Sequence, residues 1–225
     1  MRVLLGPGAG DPGPPDLARV YAAPADPWLR VNMVGTVDGA ASGENGRSGS
    51  INNAVDKVVY DHLRSVADAI VVGAGTARAE GYAPVDRPTV VVSRRADVPP
   101  LLRGGLPGAV LLATCASAEH LAEARSLLGD EHVLTLGDDE VDLVALKSAL
   151  AARGHTQLLA EGGPHLLRDL VAAGAADELC ATTVPLLVAG EHPRITAGPP
   201  VDVPLELTAL LEADGTLLAR WTIST

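Results

Sequence analysis

The chain has 225 residues, enough to bury a hydrophobic core as one large domain or two small ones, which excludes a peptide-sized binding module. Seventeen Lys and Arg against 28 Asp and Glu leave a net charge of −11, which argues against a general affinity for nucleic acid or anionic lipid. With two Trp, three Tyr and no Phe, the core must be aliphatic, and the scarcity of aromatics argues against a platform for stacking single-stranded bases.

Residues 1–27 read as an N-terminal arm. Within it, 6–15 (GPGAGDPGPP) hold four Gly and four Pro and cannot form a regular element, while Leu4, Leu17 and Tyr21 are expected to pack against the rest. The apolar run before Gly6 is too short for a signal peptide, and no stretch is long and apolar enough to span a bilayer. From 28 to 225 no linker or internal repeat interrupts the chain. Apolar runs of strand length occur at 29–34, 69–72, 89–92, 109–113, 133–136 and 157–160. Helical spacing occupies 53–66, with Val55, Val58, Val59, His62, Leu63 and Val66 near one face, and recurs at 118–128, 141–152 and 164–173. Such alternation predicts an α/β fold with a largely parallel sheet. The segments 178–188, 203–211 and 216–223 read as strands, and Asp214-Gly215 between the last two predicts an antiparallel C-terminal hairpin.

Cys115 and Cys180 are far apart and flanked by apolar residues, which predicts a reduced, cytoplasmic protein. C-x-x-C, H-E-x-x-H and zinc-deaminase patterns are missing. The acidic stretch 130–142 reads as a solvated loop and a helix start whose dipole favours carboxylates, so no metal is expected there.

Four segments carry candidate chemistry. Val71 to Thr76 is a strand entering a Gly-rich turn, but Arg78 stands where a dinucleotide fingerprint needs its third Gly. Glu161-Gly162-Gly163-Pro164 ends one strand and opens a helix, a place where free N–H groups favour a phosphate; Glu161 is either a cap or a site residue. Ser93-Arg94-Arg95 follows a buried strand, and paired guanidiniums in an acidic chain suit a bound phosphate as well as an ion pair with Asp97. Parallel sheets bind ligands beyond the carboxyl ends of their strands, so the strand ends after 72, 92 and 160 are expected to face one cleft. Asn32 to Gly39 is a strand entering a turn, followed by a small, polar, Gly-rich stretch suited to a loop over that cleft.

In order along the chain, Thr36-Val37-Asp38-Gly39, 48–52, the run from His62-Leu63-Arg64 through Asp68 to Gly73 and Gly75-Thr76, and Glu161-Gly162-Gly163-Pro164 with Asp177-Glu178-Leu179 resemble the riboflavin-biosynthesis pyrimidine reductases. These form the C-terminal half of the bifunctional deaminase/reductase, and Glu80-Gly81-Tyr82 is similar to their actinobacterial pyrimidine-reductase-like branch. The resemblance, over 28–225, implies a dihydrofolate-reductase-like α/β fold: a mixed, mostly parallel sheet flanked by helices. It implies an NADPH-dependent oxidoreductase, commonly dimeric, that opens the sugar of 5-amino-6-(5-phosphoribosylamino)uracil to a ribitylamino chain. Cofactor contacts are implied at Val34, Ser50, Thr76, Glu80, Ser93, Arg94, Gly162, Gly163, Pro164, His165 and Leu166, with Arg94 on the adenosine 2′-phosphate. Substrate contacts are implied at Asn32, Ser48, Arg64, Pro84, Arg87 and Glu161, with Glu161 as catalytic proton donor or polariser. Arg64 has a second reading as a helix-terminal Arg neutralising Asp61 or Asp68. Asn32 replaces the family's Lys, Ser50-Ile51-Asn52 its Trp-Ile-Thr and Glu80-Gly81-Tyr82 its Asp-Asn-Pro; Tyr82 also admits a flat pterin such as dihydrofolate as an alternative substrate. A binding protein without catalysis is the remaining alternative.

Overall fold

The structure is a computed structural model and describes residues 1–104 and 106–224. Among them, β1 (Arg2–Leu5), β2 (Trp28–Thr36), β3 (Ala69–Gly73), β4 (Thr89–Val92), β5 (Val110–Thr114), β6 (Val133–Thr135), β7 (Gln157–Ala160), β8 (Glu178–Val184), β9 (Leu205–Ala213) and β10 (Thr216–Ile223) form one sheet. Its order is β1-β9-β10-β8-β2-β7-β3-β4-β5-β6. From β8 to β6 every pairing is parallel, while β10 pairs antiparallel with both β8 and β9, and β1 pairs antiparallel with β9. The mixed sheet with its C-terminal hairpin is the expected one. At the hairpin, Asp214 and Gly215 both take positive φ, as a two-residue turn matched to strand twist requires.

Among the described residues six α-helices flank the sheet: α1 (Leu17–Val20), α2 (Ala54–Val66), α3 (Ala74–Glu80), α4 (Leu121–Leu128), α5 (Leu143–Ala151) and α6 (Pro164–Ala172). Leu158 and Leu159 are neighbours on β7 yet belong to different core clusters, because successive strand residues face opposite sides. One side packs Leu146 and Leu150 of α5 and Leu167 and Leu170 of α6 against Leu29, Val31 and Val71. The other packs Val59 and Leu63 of α2 against Leu159, Leu211 and Leu218, and Ala77 of α3 against Val72 and Val91. The largest fully buried side chains are all Leu and Ile, the aliphatic core that the composition implies.

Several local expectations need correction. The buried stripe of α2 is Asp56, Val59 and Leu63, whereas Val58 and Val66 are exposed. The Gly-rich turn after β3 is one residue long in effect, since α3 starts at Ala74 and closes on Gly81 in the left-handed region. The strand expected over 178–188 ends at Val184. In the N-terminal arm Leu4 is 45% exposed, while Val20 and Tyr21 are buried and Arg2–Leu5 extends the sheet.

That arm is held by charge as well as by packing. Glu178 of β8 is fully buried and pairs with Arg30 (3.1 Å) and Arg220 (2.8 Å) while accepting the Trp28 indole N–H. The two guanidiniums in turn donate to the carbonyls of Tyr21, Val20 and Ala22, closing the end of α1 onto the sheet.

Candidate active site

The carboxyl ends of β7, β3 and β4 are adjacent in the sheet and open into one cleft of about 900 Å³. Thr76, Ser93, Arg94, Gly163, Pro164, His165 and Leu166 all line it, as do Gly73, Gly75 and Arg78. The convergence expected of three separate strand ends is therefore present.

Backbone geometry builds its floor. The Gly73 N–H donates to Gly162 O at 2.9 Å, the Glu161 N–H to Val71 O at 2.9 Å, and Gly162 takes φ +87° before a cis peptide to Gly163. A Cβ on Gly163 would collide with Thr76 Oγ1, so the starts of α3 and α6 approach this closely only because the residue is Gly. α6 begins with Pro164 and has no side-chain cap, which leaves its first N–H groups facing the cleft. On β4, Ser93 Oγ accepts the Asp97 N–H at 2.9 Å and closes a tight turn from which Arg94 projects, exposed. Arg95 is engaged by Glu119 at 3.0 Å and Arg168 by Asp169 at 2.8 Å. Arg94 and Arg78 have no ion-pair partner among the described residues and supply the cleft's uncommitted positive charge. Asp142, in the acidic stretch, caps α5 by accepting the Ala145 N–H at 2.9 Å.

A second cluster adjoins the cleft through Glu161. Its carboxylate, 9% exposed, receives Arg64 Nε and Nη2 at 2.6 Å each, Tyr82 Oη at 2.6 Å and Tyr60 Oη at 3.3 Å. The Arg64 guanidinium also lies 4.7 Å from the Tyr60 ring centroid and 5.9 Å from that of Tyr82. Glu161 is thus not the cap of α6, and Arg64 does not neutralise Asp61, which pairs with Lys57, or Asp68, which accepts the Thr156 and Gln157 N–H groups. Burial works to lower the Arg64 pKa, but hydrogen bonds and charge from Glu161 outweigh it and the net shift is upward. Burial, then Glu161, pushes both the Tyr60 and Tyr82 phenols up, so both remain protonated donors.

Other expected site residues sit apart from these two groups. Arg87 donates to Asp86 and to Ala67 O at 3.1 Å, and Pro84 is exposed. Glu80 accepts the Ser48 N–H at 2.8 Å, and Ser50 Oγ bridges Gly43 N–H and Arg47 O. Asn32 and Val34 lie part-buried on β2, away from the cleft lining. Asp38 accepts from Thr36, Val188 and Ala189, pinning the turn to the 188–189 segment; the Thr36 bond, then that of Ala189, holds its pKa below the usual range. Sequence periodicity singles out neither Tyr60 nor Asp56, because what they meet lies on other segments, at Glu161 and Thr182.

A mostly parallel sheet whose strand ends open into one cleft, a Gly-Gly turn into a helix and an antiparallel C-terminal hairpin together define a dihydrofolate-reductase-like fold. The family model described as RibD C-terminal domain matches residues 27–218, and the chain belongs to that family. It is 27% identical over 194 residues to the Archaeoglobus fulgidus 2,5-diamino-6-ribosylamino-4(3H)-pyrimidinone 5′-phosphate reductase, covering 76% of this chain and 87% of the relative. It is 26% identical to the riboflavin biosynthesis protein RibD of Mycobacterium tuberculosis, of which it spans about half, 49%. A pyrimidine reductase-like protein from Corynebacterium diphtheriae superposes with a TM-score of 0.75 at 24% identity, covering 88% of this chain and 92% of that one. Dihydrofolate reductase from Enterococcus faecalis shares the fold at a TM-score of 0.52 and 17% identity, over 88% of this chain and 97% of its own.

Proposed function

We propose that the chain is a reductase that uses NADPH to reduce a ribosylaminopyrimidine phosphate. The observation that carries this reading is the single cleft at the ends of β7, β3 and β4, with the Arg64–Glu161 pair beside it, in a chain of the RibD C-terminal domain family. The cofactor fits the residues present: Gly163 and Thr76 allow close approach of a pyrophosphate, the start of α6 offers N–H donors, and Arg94 is free for a 2′-phosphate. When bound, NADPH supplies the hydride. The protein's share is alignment and charge: Arg64, Tyr60 and Tyr82 all bond the Glu161 carboxylate and fix its orientation toward the sugar. Tyr82 directs its hydroxyl to Glu161, which favours this role over stacking on a pterin. The reading includes a cytoplasmic homodimer, with the exposed Leu205 and Leu217 of the hairpin available for the interface.

The test is NADPH oxidation followed at 340 nm with the ribosylaminopyrimidine phosphates and with dihydrofolate. Turnover is expected with the pyrimidines alone. Glu161→Gln should lose most turnover while keeping NADPH affinity, and Arg94→Ala should raise KM for NADPH roughly 10-fold or more with little effect on NADH. NADPH binding without oxidation by any of these compounds defeats the proposal.

A further inference from the structure

The turn that presents Arg94 to the cleft is fixed carbonyl by carbonyl. Ser93 O accepts the Ala96 N–H at 3.2 Å, Arg95 O accepts the His120 N–H at 3.0 Å, and the buried Ala96 sits in the left-handed region at φ +60°. Between them, Arg94 O has one hydrogen-bond partner among the described residues, the thiol of Cys115 at 3.2 Å. Cys115 follows β5 directly, is fully buried and does not border the cleft. Its Sγ also lies 3.3 Å from Asp139 O. The next two residues continue that second seam, the Ala116 N–H donating to Gly137 O and the Ser117 N–H to Asp138 O, each at 2.9 Å. One side chain therefore ties the Arg94 turn to the acidic loop 137–140, and Arg94, Asp97 and Glu140 from these two segments all border the cleft.

A thiol suits this place. It is small, behaves as an apolar group when buried, and still carries one weak donor that carbonyls of two segments can share. Backbone amides hold the carbonyls on either side, whereas Arg94 O depends on a side chain. Fixing that carbonyl fixes the peptide plane next to the Arg94 Cα, and with it the direction in which the guanidinium leaves the turn. A turn released at this point is free to bring Arg94 against the Asp97 or Glu140 carboxylate, neutralising the charge that an anion needs. We propose that Cys115 is a positioning residue for the cofactor: through Arg94 O it holds the guanidinium at the cleft rim, and so sets the preference for NADPH over NADH while touching neither. This rests on the reading of Arg94 as the ligand of the 2′-phosphate.

The experiment measures the Kd of NADPH and of NADH for the full chain by calorimetry, in the wild type, Cys115→Val, Cys115→Ser and Arg94→Ala. Val fills the site without a donor, and Ser keeps one. Cys115→Val is expected to weaken NADPH roughly 3- to 10-fold, the scale of one hydrogen bond, and to leave NADH within about twofold. Cys115→Ser should stay within about twofold of the wild type for both cofactors. In the Arg94→Ala chain, Cys115→Val should add less than about twofold, because the residue it acts through is gone. Equal weakening of both cofactors, an additive loss in the double variant, or a Ser variant as weak as the Val one overturns the assignment, since a role in stability alone produces each of these. Should Cys115→Val fail to fold, Cys115→Ala, which removes one atom and adds none, carries the same comparison. If Arg94→Ala leaves NADPH affinity intact, the reading of Arg94 fails and this assignment with it. If Arg94→Ala weakens NADPH and Cys115→Val does not, only the role of Cys115 falls.

Discussion

A side chain at Gly163 runs into Thr76 Oγ1, because the first turns of α3 and α6 meet across the cleft floor. Gly163→Ala is expected to destabilise the protein by about 1–3 kcal/mol and to weaken NADPH binding, since the two helix starts must separate. Thr76→Ala in the same chain removes the obstructing hydroxyl and should restore a good part of the melting temperature; independent, additive losses in a double-mutant cycle would refute the contact. Asp56 bears on stability in the opposite sense. Burial raises its pKa, while Thr182 and Asn52 pull it partly back. An acid whose folded pKa lies above its unfolded value contributes stability that is complete below the unfolded value and lost as pH rises through the folded one. Asp56→Asn is therefore expected to melt above the wild type at neutral pH, with the difference vanishing below about pH 4. Thermal denaturation across that range checks it, and a difference that grows on acidification contradicts it.

At the scale of elements, the register of the C-terminal hairpin depends on two turn residues, while its attachment depends on buried charge. Glu178 answers both Arg30 and Arg220, and those two guanidiniums hold the carbonyls at the end of α1. Glu178→Gln keeps the shape but leaves two buried cations without a counter-charge, which should cost roughly 3–5 kcal/mol in urea unfolding. Because the pair also anchors the arm, limited proteolysis within 6–15 should accelerate in the same variant. Stability lost without faster cleavage would mean that the arm is held by packing alone. The elements differ in how far local sequence revealed them. Strands such as Ala69–Gly73 were legible because both faces are covered and the run is continuously apolar. The orientation of α2 was not, because Asp56 and Arg64 lie on its inward stripe, where an apolar pattern would place neither. Their reasons for facing inward lie on other segments, at Thr182 and Glu161.

For the whole molecule, the short strand β1 closes one edge of a sheet that would otherwise end on the nine-residue β9. Removing residues 1–5 uncovers that edge, and light scattering should then report assemblies larger than those the intact chain forms at the same concentration. A truncated chain with unchanged scattering would show that β9 protects itself. The charge distribution also acquires a place. A net charge of −11 is spread over the surface, whereas the uncommitted Arg78 and Arg94 both border the cleft, so the acidic chain retains one site suited to an anion. The sequence by itself determined the α/β class, the hairpin and the three strand ends, because each rests on periodicity or turn chemistry within a few neighbouring residues. Only the tertiary structure decided what meets there. Glu161 finds Tyr60 and Arg64 about a hundred positions upstream, Gly163 meets Thr76 across a helix start, and Asp56 lies against Thr182, contacts that pattern within a segment does not encode because they depend on the order in which strands assemble.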